Sequence, residues 1–162
     1  MANFDKLKAL YAKLDTLSSA SSAAEVGSLG NFFSDDCVTY LSSMREYDEP
    51  SIGKQTTVKQ YQESLKVLHV HERRIISHST TADGRTVFCE MKNAVHCFEE
   101  LLDPFFETAV ATFDEDGLIK ELKHYSCRSH IVEIIQKYTG QGPYGEVPQT
   151  RGRKISDAPC CG

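Results

Sequence analysis

FFETAVATFDEDGLIKELKHYSC, residues 105–127, carries two extended runs on either side of a four-residue turn. The runs are rich in β-branched and aromatic residues, and Asp114-Glu115-Asp116-Gly117 ends in the glycine that a tight hairpin turn favours. TVFCEMKNAVHCF at 86–98 is a run of the same kind, and HVHERRIISHST at 69–80 reaches it through a second Asp-Gly turn, Ala82-Asp83-Gly84-Arg85. Four strands joined in sequence order predict an antiparallel meander, with Glu99 to Pro104 read as a loop between the second and third of them.

Upstream, the period of the apolar residues changes from two to nearly four. Residues 3–18, NFDKLKALYAKLDTLS, place Phe4, Leu7, Leu10, Tyr11, Leu14 and Leu17 on one stripe, which predicts an amphipathic helix. A second, shorter helix is expected over 22–32. CVTYL at 37–41 reads as the first strand, SSMREYDEPSIG at 42–53 as a loop, and KQTTVKQYQESLKV at 54–67 as a third helix through Val58, Tyr61 and Leu65. A closing helix over 129–138 carries Ile131, Ile134 and Ile135. The order predicts an α+β domain over 1–140, in which helices cover one face of an antiparallel sheet and a strongly curled sheet leaves a pocket between the layers. Residues 141–162 hold too few apolar side chains to pack and are expected to form a flexible C-terminal tail.

The chain has 162 residues, 40% hydrophobic and 25% charged, enough for one core without a metal or disulfide to hold it. A net charge of −5 argues against a nucleic-acid surface, which needs clustered Lys and Arg; the one basic run, Arg151 to Lys154, lies in the tail. No apolar stretch is long enough to span a bilayer and the first helix is too charged for a signal peptide, so a cytoplasmic protein is expected. Cys37, Cys89, Cys97, Cys127, Cys160 and Cys161 include no Cys-x-x-Cys pair, and reduced, structural thiols are expected. Gly-rich phosphate loops, dinucleotide fingerprints and Gly-x-Ser-x-Gly elbows are absent from the sequence.

Two segments carry a family likeness. FFSDDCVTYLSSM, followed by Pro50 and Gly53 opening a helix with Tyr61 and Leu65, resembles the early part of SnoaL-like and nuclear transport factor 2-like proteins, and FETAVATFDEDGLIKELKHYS resembles their recurrent aromatic-Asp-x-Asp-Gly-x-Ile turn. The likeness spans about residues 5–138. It implies a cone: a curved antiparallel sheet wrapped by the N-terminal helices around a pocket for one apolar molecule. The superfamily includes polyketide cyclases, scytalone dehydratase, ketosteroid isomerase and fungal isomerases and cyclases, together with modules that only bind or dimerise.

In the catalytic relatives the last strand carries a pocket-facing acid, at a place that His124 holds here. Alternation also turns His124 inward, because Leu122, His124 and Ser126 share one face while Glu121, Lys123 and Tyr125 share the other. An imidazole exchanges protons near neutral pH, which suits enolisation, dehydration or cyclisation without a cofactor. Tyr40 on the first strand is a candidate to orient or protonate a carbonyl, and Tyr61 a candidate ligand contact. On TVFCEMKNAVHCF, alternation groups Val87, Cys89, Met91, Asn93 and Val95 as an apolar lining with one amide, so Asn93 is the third catalytic candidate and Cys89 and Met91 line the substrate site. Leu122, Ser126 and His71 complete that lining, and the resemblance to the dehydratase branch of the family implies that one of His69 and His71 pairs with His124. His69-x-His71 lacks a third ligand at a persuasive spacing, so no metal is expected. Glu107 and Arg45 are weaker candidates, read as exposed charges.

The expectation is therefore a cofactor-free isomerase, cyclase or dehydratase acting on a hydrophobic polyketide, terpenoid or alkaloid intermediate. Its rival is a binding or dimerisation module of the same fold. A homodimer is implied by the resemblance, with the outer sheet face around Tyr125 as its surface.

Overall fold

The computed structural model describes residues 2–41 and 50–140. The apolar stripe of the N-terminal segment forms α1 (Asn3–Leu14), followed by α2 (Ala23–Gly27) and a 3-10 turn (Ser28–Phe32). Ser22 starts α2 with a capping box, its hydroxyl accepting from the Glu25 amide while the Glu25 carboxylate accepts from the Ser22 amide. Then come β1 (Phe33–Tyr40), β2 (Ser51–Ile52), α3 (Lys54–Ser64), β3 (Leu68–Thr80), β4 (Thr86–Cys97), β5 (Glu100–Phe113), β6 (Ile119–Ser126) and α4 (Ser129–Thr139). The expected tail and Arg45 lie outside the described residues.

The four long strands form the expected meander, within a six-stranded sheet of order β2-β1-β6-β5-β4-β3. Gly84 and Gly117 take positive φ at the two hairpin turns, the backbone region that a side chain penalises. Lys6 on α1 donates to the Gly117 carbonyl and Asn3 donates to the Gly84 carbonyl, so α1 is tied to both turns.

Two features differ from the sequence reading. The sheet is mixed, because β1 runs parallel to β6, with Thr39 opposite Leu122 and Tyr40 opposite Lys123. The expected loop at Glu99 to Pro104 is mostly strand, since β5 begins at Glu100 and pairs with β4 from there. Proline is tolerated at 104 because β6 joins β5 only from Glu107 onward, and the pairing with β4 is interrupted between Asn93 and Val95.

Further breaks in register, between Val70 and Glu72 and between Ile75 and Ser77, accompany the curl of the sheet. The concave face carries the main core: Val87, Cys89 and Met91 from β4, Ala109, Ala111 and Phe113 from β5, and Ile119 and Leu122 from β6, against Leu7, Leu10 and Tyr11 of α1. A smaller cluster of Val95, Cys97, Phe105, Ile131 and Ile134 lies under α4. Phe88, Phe106 and Tyr125 are exposed, as expected of the outer face. Cys37, Cys89 and Cys97 are buried free thiols, while Cys127 is an exposed one just past the end of β6.

Candidate active site

His124 lies in the middle of β6, opposite Ala109 of β5, and its side chain is 7% exposed. Two groups bracket its ring. The Glu107 carboxylate lies 3.5 Å from Nδ1, and the Tyr11 hydroxyl lies 3.1 Å from Nε2. A carboxylate only accepts, so in a neutral ring the tautomer that suits both neighbours has its proton on Nδ1, facing Glu107, and leaves Nε2 to accept the Tyr11 O–H. Burial raises the Tyr11 hydroxyl well above its ordinary pKa, outweighing the lowering by Arg73, so the phenol keeps the proton it donates.

Glu107 corrects the sequence reading, which had it exposed. It is 8% exposed and sits at the centre of the charged cluster. Arg73 Nη1 and Arg128 Nη2 each approach it to 3.6 Å, and Asn93 Nδ2 donates to it at 3.4 Å. Arg73 is fixed by Asp15, whose carboxylate accepts from Nε and Nη2 at 2.9–3.1 Å, while its guanidinium carbon stands 4.3 Å from the centre of the Tyr11 ring. Arg128 donates to the Leu41 carbonyl at 2.7 Å. The signal for Glu107 was present in FFETAVATF: Phe105, Glu107, Ala109, Ala111 and Phe113 share the inward face of β5. Tyr11 was read only as part of the helical stripe, and Arg73, Asp15 and Arg128 were not singled out at all.

Burial by itself would raise the Glu107 pKa, but His124, Arg73 and Arg128 together lower it below its ordinary 4.5. Between the depressed folded value and the unfolded one, the unfolded chain binds more protons, so stability rises with pH across that window. Stability from this group should therefore be complete above about pH 5 and fall as acid protonates the folded carboxylate. Urea melts of wild type and Glu107→Gln between pH 3 and 6 check this, with a shallower acid slope expected for the variant.

Beside the cluster is a cavity of about 90 Å³. Leu14, Leu41, Leu65, Leu68 and Val70 give it apolar walls, and Tyr61, Ser64, Arg73, Glu107, His124 and Arg128 give it polar ones. Three buried polar atoms have no partner among the described residues: the Tyr61 hydroxyl, Asn93 Oδ1 and Ser126 Oγ. Ser126 is opposite Glu107 in the β5–β6 register.

The remaining sequence candidates divide. Tyr61 lines the cavity, and Asn93 and Ser126 flank Glu107. Cys89, Met91 and Leu122 belong to the packed core. Tyr40 points away from the site: Thr39 is the buried residue of that pair and bonds Thr57, whereas the Tyr40 ring lies 5.5 Å from Lys123 Nζ, on the face opposite His124. His71 falls at a register break, is exposed and meets His96 edge-on, and the His69 ring is bonded to the Leu17 carbonyl, so neither reaches His124. Among the described residues no group of three or more His, Cys, Asp or Glu is placed to hold a metal, and no helix is long and apolar enough to cross a membrane.

No family model and no curated protein matches the sequence. Solved structures do. A steroid delta-isomerase from Pseudomonas aeruginosa aligns over 86% of this chain and 89% of its own, with a TM-score of 0.57 at 15% identity. This is the SnoaL-like, nuclear transport factor 2-like fold. An epoxide hydrolase/cyclase-like enzyme of pyran ring formation in the polyether salinomycin matches it at TM-score 0.56 and 11% identity, over 77% of this chain and 90% of that one. A computationally designed 17-OHP binder matches at TM-score 0.58 and 11% identity, over 77% and 94%. The SnoaL-like cone thus holds enzymes and a binder alike, and at these identities the likeness establishes the fold, leaving function to the site.

Proposed function

We propose that this protein is a cofactor-independent acid/base enzyme, an isomerase, cyclase or dehydratase, acting on a hydrophobic small molecule in the cone. The observation that carries the reading is His124 at the wall of an apolar cavity, with a buried carboxylate on Nδ1. Glu107 fixes the ring and tautomer and stabilises the imidazolium that forms when Nε2 takes a proton. The Tyr11 hydroxyl lies 3.1 Å from Nε2; turning its O–H elsewhere frees that lone pair to take the substrate proton, and the imidazolium so formed gives the same proton back to the product. Arg73 and Arg128 hold positive charge beside the reacting group, where an enolate or alkoxide would develop. Glu107 is too well compensated by cations to be the base itself.

Binding without turnover is the second reading, favoured by one observation: Nε2 is already occupied by Tyr11 at 3.1 Å. The two separate when purified protein is incubated with a small-molecule extract of its source cells and followed by mass spectrometry. Catalysis predicts loss of one apolar species and gain of a product of equal mass, or lighter by one water. A species that is enriched on the protein and recovered unchanged would contradict catalysis.

A further inference from the structure

Arg73 touches both groups that bracket His124. Its Nη1 lies 3.6 Å from the Glu107 carboxylate, and its guanidinium carbon lies over the Tyr11 ring, 4.3 Å from the centre. The guanidinium is itself gripped from α1. Tyr11 and Asp15, the C-cap of that helix, are four residues apart and so share a face, and the Asp15 amide donates to the Tyr11 carbonyl at 2.8 Å. The Asp15 carboxylate accepts from Nε at 3.1 Å and from Nη2 at 2.9 Å, the two-point grip that a guanidinium edge offers a carboxylate. On the remaining side Nη1 meets the Met91 sulfur at 3.3 Å.

The Arg73 side chain is 6% exposed and that of Asp15 is 27% exposed. An ion pair so deep is a poor source of net stability, because desolvation offsets most of the attraction, and an apolar side chain of similar volume would fill the space without that cost. What an apolar side chain lacks is a planar cation that faces a carboxylate and a phenol ring together. We propose that Asp15 and Arg73 form a brace for the acid/base site: Asp15 sets the guanidinium, and the guanidinium holds Tyr11 and Glu107 against the two nitrogens of His124. Asp15 is outside the cavity lining and acts through Arg73, so it is a positioning residue. The kinetic consequence rests on the reading of His124 as the group that exchanges protons, whereas the effect on the ring does not.

Nitrogen-15 NMR of the His124 ring in its neutral form, beside thermal melting of the same sample, tests the brace in Asp15→Ala. The wild type should show one fixed tautomer and the variant averaged tautomers, with Asp15→Glu recovering the wild-type pattern. On the substrate found by the conversion experiment, kcat and kcat/KM of Asp15→Ala should fall together by about 10- to 100-fold. Where Asp15→Ala does not fold, the double variant Asp15→Ala, Arg73→Met removes both charges and should show the same averaged ring. A fixed tautomer in either folded variant would overturn the proposal, as would averaged tautomers already in the wild type. Lower stability with an unchanged ring would mean that the pair holds only the fold. A wild type that converts nothing sinks the acid/base reading and leaves the brace to be decided by the ring signals.

Discussion

Glu107→Ala should cost about 3–5 kcal/mol of folding stability at neutral pH, a large share of the roughly 5–15 kcal/mol that a domain has in total. The carboxylate is 8% exposed, and Arg73 beside it has a side chain only 6% exposed. Removing the anion leaves Arg73 with Asp15 alone and takes a cavity-wall counter-ion from Arg128. A buried cation left with less counter-charge than it folded with is costly, because its hydration was already given up on folding. Glu107→Gln separates charge from volume: it keeps the shape and should still destabilise, since an amide cannot balance a guanidinium. If the cause is the stranded charge, Arg73→Met added to Glu107→Ala should recover part of the loss, a coupling that urea melts of the four proteins would measure. A Glu107→Ala loss below about 1 kcal/mol would show a wetter, better screened site than these distances imply.

His124→Gln should lower turnover by about 100- to 10,000-fold while leaving stability within about 1.5 kcal/mol of wild type. Glutamine can donate to Glu107 and accept from Tyr11, so the bonds on either side of the ring survive. What it lacks is a group that gains and loses a proton near neutral pH. The readout is kcat on the substrate found by the conversion experiment, beside a melt of the same preparation. Loss of stability and activity together would mean that the imidazole holds the core. Loss of activity alone is the expected result, and a kcat near wild type would remove His124 from the chemistry.

Much of the fold could be read in the sequence because its signals are local. Two Asp-Gly turns, period-two runs and one long helical stripe give the meander and the layer that covers it. The β1–β6 pairing was not legible, since residues 33–40 and 119–126 meet through distant contacts and no turn announces a parallel neighbour. Pro104 misled for the opposite reason: the local rule holds for paired strands, and the start of β5 is paired on one side only.

The site was half legible. Alternation placed His124 on the inner face of β6, where its side chain is buried, because charged neighbours on that strand take the outer face. The same alternation placed Glu107 among Phe105, Ala109 and Ala111, but a lone acid in a strand reads as exposed until its cations are known. Those cations come from β3 and from the residue before α4, 34 positions upstream (107 − 73) and 21 downstream (128 − 107) in the numbering. Tyr40 failed because Cys37 and Thr39 already occupy the inward face of β1, which sends the tyrosine to the other side.

The central claim is that Glu107 and Tyr11 hold His124 in one tautomer, with Nε2 as the atom that exchanges protons. Nitrogen-15 NMR of the histidine rings, with His124 assigned through His124→Gln, tests it without knowledge of the substrate. In the neutral form of the ring, the account predicts a proton on Nδ1 and a bare, hydrogen-bonded Nε2. A proton fixed on Nε2, or the averaged tautomers of a solvent-exposed imidazole, would contradict it.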